Sequence, residues 1–262
     1  MPKIGVFDSG IGGLSILDEA FLQAPSHDYL YLADSVNAPY GEQSSAWVAS
    51  RSLQLCSWLI SQSCSAVVVA CNTATAQAID QIRKKFPQIP IIGIEPGIKP
   101  AATLSQTKKV GVLATASTLQ SEKFNALLAT LLGDCEFITQ AGVGLVPLIE
   151  TGDLQHPQLE QLLIQYINPM VQANADTLVL GCTHYPFLEP LIQKLFGLNL
   201  HVINTSSAVI KQMCRLIPEA TISEPGSVTY YSTQNSAQLE TLAKQLMSHQ
   251  RMRQVSSEMV AV

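Results

Sequence analysis

Short apolar runs alternate with longer amphipathic segments along most of the chain. The clearest example is the stretch 66–78, AVVVACNTATAQA, in which small and β-branched residues lead into a polar turn and then into a helical pattern. A continuous apolar run, without alternation of apolar and polar residues, is typical of a parallel strand that is covered on both faces. The pattern therefore predicts an α/β protein built on parallel sheets.

The pattern in the first half of the chain predicts four strands separated by three helices. We expect strands at 3–7, 29–33, 66–69 and 91–94, helices at 14–23, 44–62 and 75–86, and a loop over 35–43. Glu95, Pro96 and Gly97 then interrupt the pattern. Because proline and glycine mark breaks between structural units, we place the boundary between two domains here.

The second half repeats this plan. Lys109–Leu113 mirrors Lys3–Phe7, at nearly the same spacing that separates Cys71 from Cys182. We expect helices at 118–132, 157–172 and 187–196, strands at 136–140 and 201–204 and in the apolar run before Cys182, and a turn at 146–150. This near-constant spacing points to two similar parallel-sheet α/β domains, with the active site in the cleft between them.

The last part of the chain adds the segment 207–217, a strand at 228–232 and a helix at 236–247. A separate core of about 50 residues would be marginally stable, so we expect this segment to fold back onto the first domain. The predicted domains are therefore 1–97 with 207–262, and 98–206. Beyond residue 248 the pattern ends, and we expect a mobile tail.

Composition narrows the function classes. The chain has 262 residues, 47% of them hydrophobic, and its 15 basic and 20 acidic side chains give a net charge of −5 without a Lys/Arg cluster. Nucleic acid is therefore not an expected partner. Since neither a secretory signal pattern nor a run of 18 apolar residues occurs, we expect a cytoplasmic protein without membrane association.

Six cysteines are present, and we expect them to be reduced in that compartment. No pair has CxxC spacing, and only His184 lies near a cysteine, so no metal site is expected. Packing in the core is the simplest interpretation of Cys56, Cys64, Cys135 and Cys214, because cysteine is among the most buried residue types.

Cys71 and Cys182 differ from the other four, since each ends an apolar strand and precedes a polar turn and a helix. A free thiol has a pKa of about 8.5, so little of it is thiolate at neutral pH unless a helix terminus or a cationic neighbour lowers the pKa. Asp8 could serve the Cys71 side, and His184 is two residues from Cys182. By itself, His184 could equally be an ordinary loop histidine.

The glycine-rich turn Asp8-Ser9-Gly10-Ile11-Gly12-Gly13 is a further candidate site. Backbone N–H groups that converge at a helix N-terminus favour a carboxylate or phosphate. A tight strand-to-helix turn would use the same glycines, so both interpretations stay open. The spacing is not GxGxxG, so no dinucleotide is expected.

Two thiols on matching loops predict proton transfer on opposite faces of one carbon, with inversion of its configuration. No cofactor motif is visible, and no lysine lies at a strand end where it could form a Schiff base. We therefore expect a reaction without a cofactor, in which hydrogen bonds stabilise the developing carbanion.

Four segments together carry a family resemblance. Residues 6–14 (VFDSGIGGL), 39–41 (PYG), 70–74 (ACNTA) and 181–186 (GCTHYP) resemble those of the glutamate racemases, within the aspartate/glutamate racemase superfamily. The resemblance extends over essentially the whole chain. It implies interconversion of L- and D-glutamate without a cofactor, and a supply of D-glutamate for peptidoglycan in cell-wall biogenesis.

The resemblance also implies residue roles. Cys71 and Cys182 would be the acid and base, assisted by Asp8 and His184, with Glu150 as a further carboxylate near the second thiol. The implied substrate contacts are Asp8, Ser9, Tyr40, Gly41, Asn72, Thr73, Thr183 and His184, with Thr115 and Thr118 as additions. On sequence alone, Glu150 could equally be a solvated turn residue and Tyr40-Gly41 an ordinary loop.

Two other functions compete. An aspartate racemase would also use two cysteines, although the segments around Cys71 and Cys182 resemble those of the glutamate racemases. A non-catalytic amino-acid-binding protein, or a regulator such as a gyrase inhibitor, would not need both thiols. The expected partner is the small-molecule substrate glutamate, and the resemblance allows either a monomer or a homodimer.

Overall fold

The structure, a computed structural model, describes residues 3–131, 133, 135–217, 224–249, 252 and 254–262. The chain divides into two compact units, Met1–Ile94 with Ser206–Val262 and Glu95–Thr205. Each unit has one sheet whose paired strands all run parallel. The predicted α/β class with two parallel-sheet domains is confirmed. Within the described ranges, no helix has both the length and the apolar character needed to cross a bilayer.

Up to residue 232, the strands follow the predicted apolar runs closely. They are β1 (Lys3–Asp8), β2 (Asp28–Ala33), β3 (Cys64–Val69), β4 (Ile91–Gly93), β5 (Lys109–Ala114), β6 (Glu136–Ala141), β7 (Thr177–Gly181), β8 (His201–Ile203), β9 (Ser227–Ser232) and β10 (Gln254–Met259). The first unit has the sheet order β10-β9-β2-β1-β3-β4, and the second has β6-β5-β7-β8.

The helices separate successive strands, as parallel pairing requires. They are α1 (Leu14–Gln23), α2 (Ser45–Ser61), α3 (Asn72–Lys85), α4 (Ile98–Leu104), α5 (Ala116–Gln120), α6 (Glu122–Ala129), α7 (Leu145–Glu150), α8 (Pro157–Gln172), α9 (Glu189–Phe196), α10 (Ser206–Leu216) and α11 (Ser236–Leu246). Short 3-10 helices occupy Ser35–Asn37, Tyr40–Glu42 and Tyr185–Leu188.

In the first unit, strand register brings three polar segments to one edge of the sheet. Phe7 of β1 is paired with Leu32 on one side and Val69 on the other, and all three are fully buried. Because the strands are parallel, their carboxyl ends lie side by side. The segments that begin at Asp8, at Asp34 and at Cys71 therefore leave the sheet at the same edge.

The second unit has the same arrangement around β5. Ala114, its last residue, is paired with Ala141 of β6 and Gly181 of β7, so the residue after Gly181, Cys182, also lies at a carboxyl edge. A Cβ atom on Gly181 would come within 2.7 Å of the Ala114 Cβ. Glycine at this position therefore allows β5 and β7 to approach closely beside the cysteine.

The C-terminal segment corrects one prediction. Where a mobile tail was expected beyond 248, β10 pairs with β9 in parallel and continues the first sheet; residues 250, 251 and 253 lie outside the described residues. The prediction was wrong because QVSSEM lacks an apolar run. An edge strand needs fewer apolar residues than a central one, so its sequence signal is weak.

Several helix predictions also need correction. Residues 146–150, expected to form a turn, belong to α7, and α4 was not predicted. The helix expected at 118–132 is split into α5 and α6 because Ser121 caps α6, its Oγ accepting from the Phe124 N–H; residue 132 lies outside the described residues. Helix α3 begins at Asn72, three residues earlier than expected. The predicted polar turn after Cys71 is therefore the first turn of that helix.

Candidate active site

The Cys71 thiol lies at the N-terminus of α3 in the first unit. It is buried, and its Sγ accepts a hydrogen bond from the Ala74 N–H at 3.5 Å. Since the N-terminal end of a helix dipole is positive, this cap favours negative charge on the sulfur. The thiol also donates to Ser9 Oγ at 3.9 Å.

Asp8 completes a hydrogen-bonded chain with these two groups. The Ser9 hydroxyl donates to Asp8 Oδ1 at 3.5 Å, and the Gly10 N–H donates to the same oxygen at 2.9 Å. The chain thus runs from the Cys71 thiol through the Ser9 hydroxyl to a fully buried carboxylate. A Cβ at Gly13 would come within 2.7 Å of the Asp8 Cβ, so at least this glycine serves the tight turn.

Asn72 and Thr73 lie in the first turn of α3, directly after Cys71, and both are buried. Among the described residues, neither Nδ2 nor Oδ1 of Asn72 has a hydrogen-bond partner, although the side chain is only 3% exposed. A buried polar group without a partner costs about 1–3 kcal/mol. The amide is therefore a strong indication of a polar ligand at this position.

Tyr40 and Gly41 lie in the 3-10 helix that follows β2. The tyrosine is almost fully buried in one apolar cluster with Cys71, and its hydroxyl donates to Asp34 Oδ2 at 2.5 Å. Asp34 in turn is bound by Arg51. The sequence pattern did not single out Arg51, because one arginine on an amphipathic helix looks like an ordinary solvated residue.

In the second unit, Cys182, His184 and Glu150 form a connected group. The Cys182 Sγ lies 3.7 Å from His184 Nδ1, and His184 Nε2 lies 2.5 Å from Glu150 Oε1. His184 is buried, whereas the Glu150 side chain is 22% exposed. Glu150 is the last residue of α7 and its carboxylate contacts His184, so the interpretation as a solvated turn residue does not hold.

The surroundings of His184 favour its charged form. Burial alone would lower its pKa, but hydrogen bonds to Cys182 and Glu150 and the negative charge of those two groups raise the pKa well above its ordinary value. An imidazolium that faces a carboxylate on one side can stabilise a thiolate on the other. The group therefore has the components of an acid–base pair.

The remaining predicted residues of this unit lie nearby in sequence or at the same sheet edge. Thr183 is buried directly after Cys182. Thr115 follows β5 and caps α5, its Oγ1 accepting from the Thr118 N–H at 3.1 Å and donating to Thr118 Oγ1 at 2.8 Å. The Tyr185 hydroxyl donates to the Gly142 carbonyl at 3.3 Å.

The other four cysteines differ from one another in burial. Cys56, Cys64 and Cys135 are buried, and burial raises the pKa of the Cys64 thiol to about 12. Such thiols are inert at neutral pH. Cys214, expected to fill core space, is exposed instead, because it lies on the outer face of the strongly amphipathic helix α10. In the described part of the chain, no three His, Cys, Asp or Glu side chains are grouped as metal ligands would be.

Comparison with known proteins decides the family. Residues 15–213 match the model of the Asp/Glu/hydantoin racemase family. The chain belongs to this family. Among curated racemases, the glutamate racemase of Cupriavidus pinatubonensis is 52% identical over 248 residues, which cover 93% of this chain and 91% of the relative. The resemblance to glutamate racemases is thereby confirmed.

Solved racemase structures support the same assignment. Glutamate racemase RacE1 from Bacillus anthracis matches with a TM-score of 0.88 and 29% identity, covering 100% of this chain and 98% of that one. The Francisella tularensis glutamate racemase, in complex with D-glutamate, matches with a TM-score of 0.83 and 29% identity, covering 99% and 97%. The predicted enzyme class, an isomerase that racemises amino acids, is confirmed.

Proposed function

We propose that this racemase interconverts L-glutamate and D-glutamate without a cofactor, using Cys71 and Cys182 as the two bases. One observation carries the proposal. In each unit a cysteine follows the strand beside the central one, Cys71 after β3 next to β1 and Cys182 after β7 next to β5. Each thiol also has its own polar partners.

In the proposed reaction, one cysteine acts as thiolate and the other as thiol. The Cys71 thiolate takes the α-proton of D-glutamate, while the Cys182 thiol gives its proton to the opposite face of Cα, which yields L-glutamate. The two roles exchange in the reverse direction. One thiolate is consumed and one is formed, so a proton must return before the next turnover in the same direction.

The polar partners serve this proton balance. His184, whose pKa is raised, stabilises Cys182 as a thiolate, and Glu150 holds the imidazolium in place. On the other side, the Ser9 hydroxyl connects the Cys71 thiol to the buried Asp8 carboxylate, which can take up a proton along this chain of hydrogen bonds. Each thiol can therefore hold or release a proton without a solvent molecule as its direct partner.

Substrate binding is assigned first to Asn72. Its buried amide, without a partner among the described residues, can both donate to and accept from a polar group of the amino acid. Thr73 lies two residues after Cys71, and Thr183 directly follows Cys182. We assign to them, with Ser9, Tyr40 and Gly41, the remaining contacts with the substrate.

The test compares both amino acids and both thiols. Purified enzyme should abolish the optical rotation of L-glutamate and act far more slowly on L-aspartate; a preference for aspartate would favour the competing function. Cys71→Ser and Cys182→Ser should each suppress racemisation strongly, whereas Cys214→Ser, the exposed control, should not. Normal rates in either active-site variant would refute the two-cysteine proposal.

We further propose that the D-glutamate serves peptidoglycan synthesis, as the family resemblance implies. The gene should restore growth of a bacterial strain that requires external D-glutamate. The Cys182→Ser variant, expressed to the same level, should not. Rescue by that variant would show that growth does not depend on racemisation.

A further inference from the structure

A buried ion pair lies at the same sheet edge as Asp8. The Asp34 N–H donates to the Asp8 carbonyl at 3.0 Å, so the chain leaves β2 directly beside the end of β1. The Asp34 carboxylate accepts from Arg51 Nε at 2.8 Å and from Arg51 Nη2 at 2.7 Å. Such a two-pronged arginine–carboxylate pair fixes direction as well as distance.

The same carboxylate also holds the 35–42 segment. The Tyr40 hydroxyl donates to Oδ2 at 2.5 Å, and Asn37 Nδ2 lies 3.1 Å from both oxygens. Burial by itself would raise the pKa of Asp34, but hydrogen bonds from Arg51, Tyr40 and Asn37 lower it below the usual value. Asp34 is therefore a charged group whose donors come from two different segments of the chain.

Arg51 is held from its other side as well. Its Nη1 donates to the main-chain oxygen of Val262 at 2.6 Å and to Gln54 Oε1 at 3.2 Å. Only 12% of the arginine side chain is exposed. The guanidinium thus joins helix α2, the segment after β10 and the Asp34 carboxylate in one arrangement.

Tyr40 connects this arrangement to the candidate site. Its ring is packed edge-on against Trp47 at 5.3 Å and belongs to the same buried cluster as Cys71 and Ala74. Burial raises the pKa of Tyr40, and the negative charges of Asp34 and Cys71 raise it further. The hydroxyl is therefore protonated and donates to Asp34, and the ring lies in the buried cluster that contains the thiol.

Stability alone is a weak explanation for this ion pair. Burying two charges costs desolvation energy, and apolar replacements of buried pairs are often as stable or more so. An apolar pair would not, however, fix the direction of the Tyr40 hydroxyl. The arrangement is better explained by placement of the segment that contains Tyr40 and Gly41.

We propose that Asp34 and Arg51 are positioning residues, which act through Tyr40 to hold the Tyr40–Gly41 segment beside Cys71 for substrate binding. This inference rests on the proposed racemase function. It predicts that the pair affects the binding of glutamate more than the proton transfer itself, because neither residue takes part in the chemistry.

Steady-state kinetics with D- and L-glutamate provide the test. Asp34→Asn and Tyr40→Phe should each raise KM about tenfold, the loss expected for a hydrogen bond to a charged group, while kcat changes less. The double variant should have nearly the KM of Tyr40→Phe alone, because Asp34 acts through that hydroxyl. The inference would be overturned if the KM increase of the double variant equalled the product of the two single increases, or if KM were unchanged in Asp34→Asn.

Two further variants separate positioning from folding. Arg51→Lys keeps the charge and should recover part of the wild-type KM relative to Arg51→Met. Asp34→Asn combined with Arg51→Gln removes both charges together, so it should fold but keep a raised KM. A wild-type KM in this neutral pair would also overturn the inference.

Asp176→Asn is the matched control. Asp176 also accepts several hydrogen bonds, from the Ser105 hydroxyl and from the backbone N–H groups of Gln106 and Thr107. It directly precedes β7, whereas Cys182 directly follows it. It should lose stability without a change in KM. Absence of racemisation by the wild type would refute the proposed function; an active wild type with unaltered KM in the variants would refute only the positioning role.

Discussion

His184 Nε2 lies 2.5 Å from Glu150 Oε1, and this contact joins the end of helix α7 to the segment after β7. The opposite ring nitrogen of His184 lies near the Cys182 thiol. The contacts of Cys71 are of another kind, with a serine hydroxyl and with a backbone N–H at a helix N-terminus. The two thiols therefore have chemically different partners, and variants of these partners should have distinguishable effects.

Replacement of Glu150 by glutamine should weaken catalysis through His184. The amide keeps the shape but not the charge that helps raise the pKa of His184. We expect kcat to fall by about one to two orders of magnitude, part of the usual contribution of an acid–base group. NMR titration of the His184 ring should show a lower pKa than in the wild type. An unchanged ring titration would contradict the role assigned to Glu150.

The same contact makes stability depend on pH. Since the folded-state pKa of His184 lies above its unfolded value of about 6.5, its ion pair stabilises the fold fully below that pH. The contribution is lost as pH rises through the folded-state pKa. In urea unfolding, the wild type should therefore have a larger free energy of unfolding than Glu150→Gln, and this difference should become smaller towards alkaline pH. A difference that grows with rising pH would contradict the assigned direction.

Asn72→Ala should weaken substrate binding without loss of stability. Because the amide is buried and has no protein partner among the described residues, its removal should not lower the free energy of unfolding, while KM rises about tenfold. Thr75→Val is the control, since Thr75 Oγ1 donates to the Val69 carbonyl and accepts from the Ile94 N–H. The control should lose stability and keep its KM. If Asn72→Ala instead lost stability and kept its KM, Asn72 would be a structural residue.

Gly181→Ala should disturb the second unit beside Cys182. The added methyl would meet the Ala114 Cβ, and such overpacking costs about 1–3 kcal/mol. Thermal unfolding should show a lower Tm and racemisation should slow. Adding Ala114→Gly should restore part of the Tm and part of the rate, because it removes the Cβ atom with which the new methyl group clashes. No recovery in the double variant would mean that the strain lies elsewhere.

Most of the sheet could be predicted from the sequence, because central parallel strands are continuous apolar runs. Helix α7 was missed because LVPLIE contains a proline and is short. That error left Glu150 with two open interpretations until the structure showed its contact with His184. Edge strand β10 carries too few apolar residues to be recognised without its partner β9.

Some residues of the candidate site could also be predicted from the sequence, and others could not. Cys71 and Cys182 could be recognised locally, since each follows a strand and precedes a polar segment. Arg51 could not, because its partner Asp34 lies in a different element and only the fold brings them together. The unpartnered amide of Asn72 is likewise a property of burial, which no motif records.

The central claim is that two different thiols serve opposite faces of Cα, and solvent deuterium tests it most directly. The enzyme is incubated with D-glutamate in heavy water, and both enantiomers are separated and analysed early in the reaction. The L-glutamate formed should carry deuterium at Cα, while the remaining D-glutamate keeps its original hydrogen. The two-base account would be contradicted if deuterium entered the remaining D-glutamate as fast as it entered the product, or if the product retained the original hydrogen.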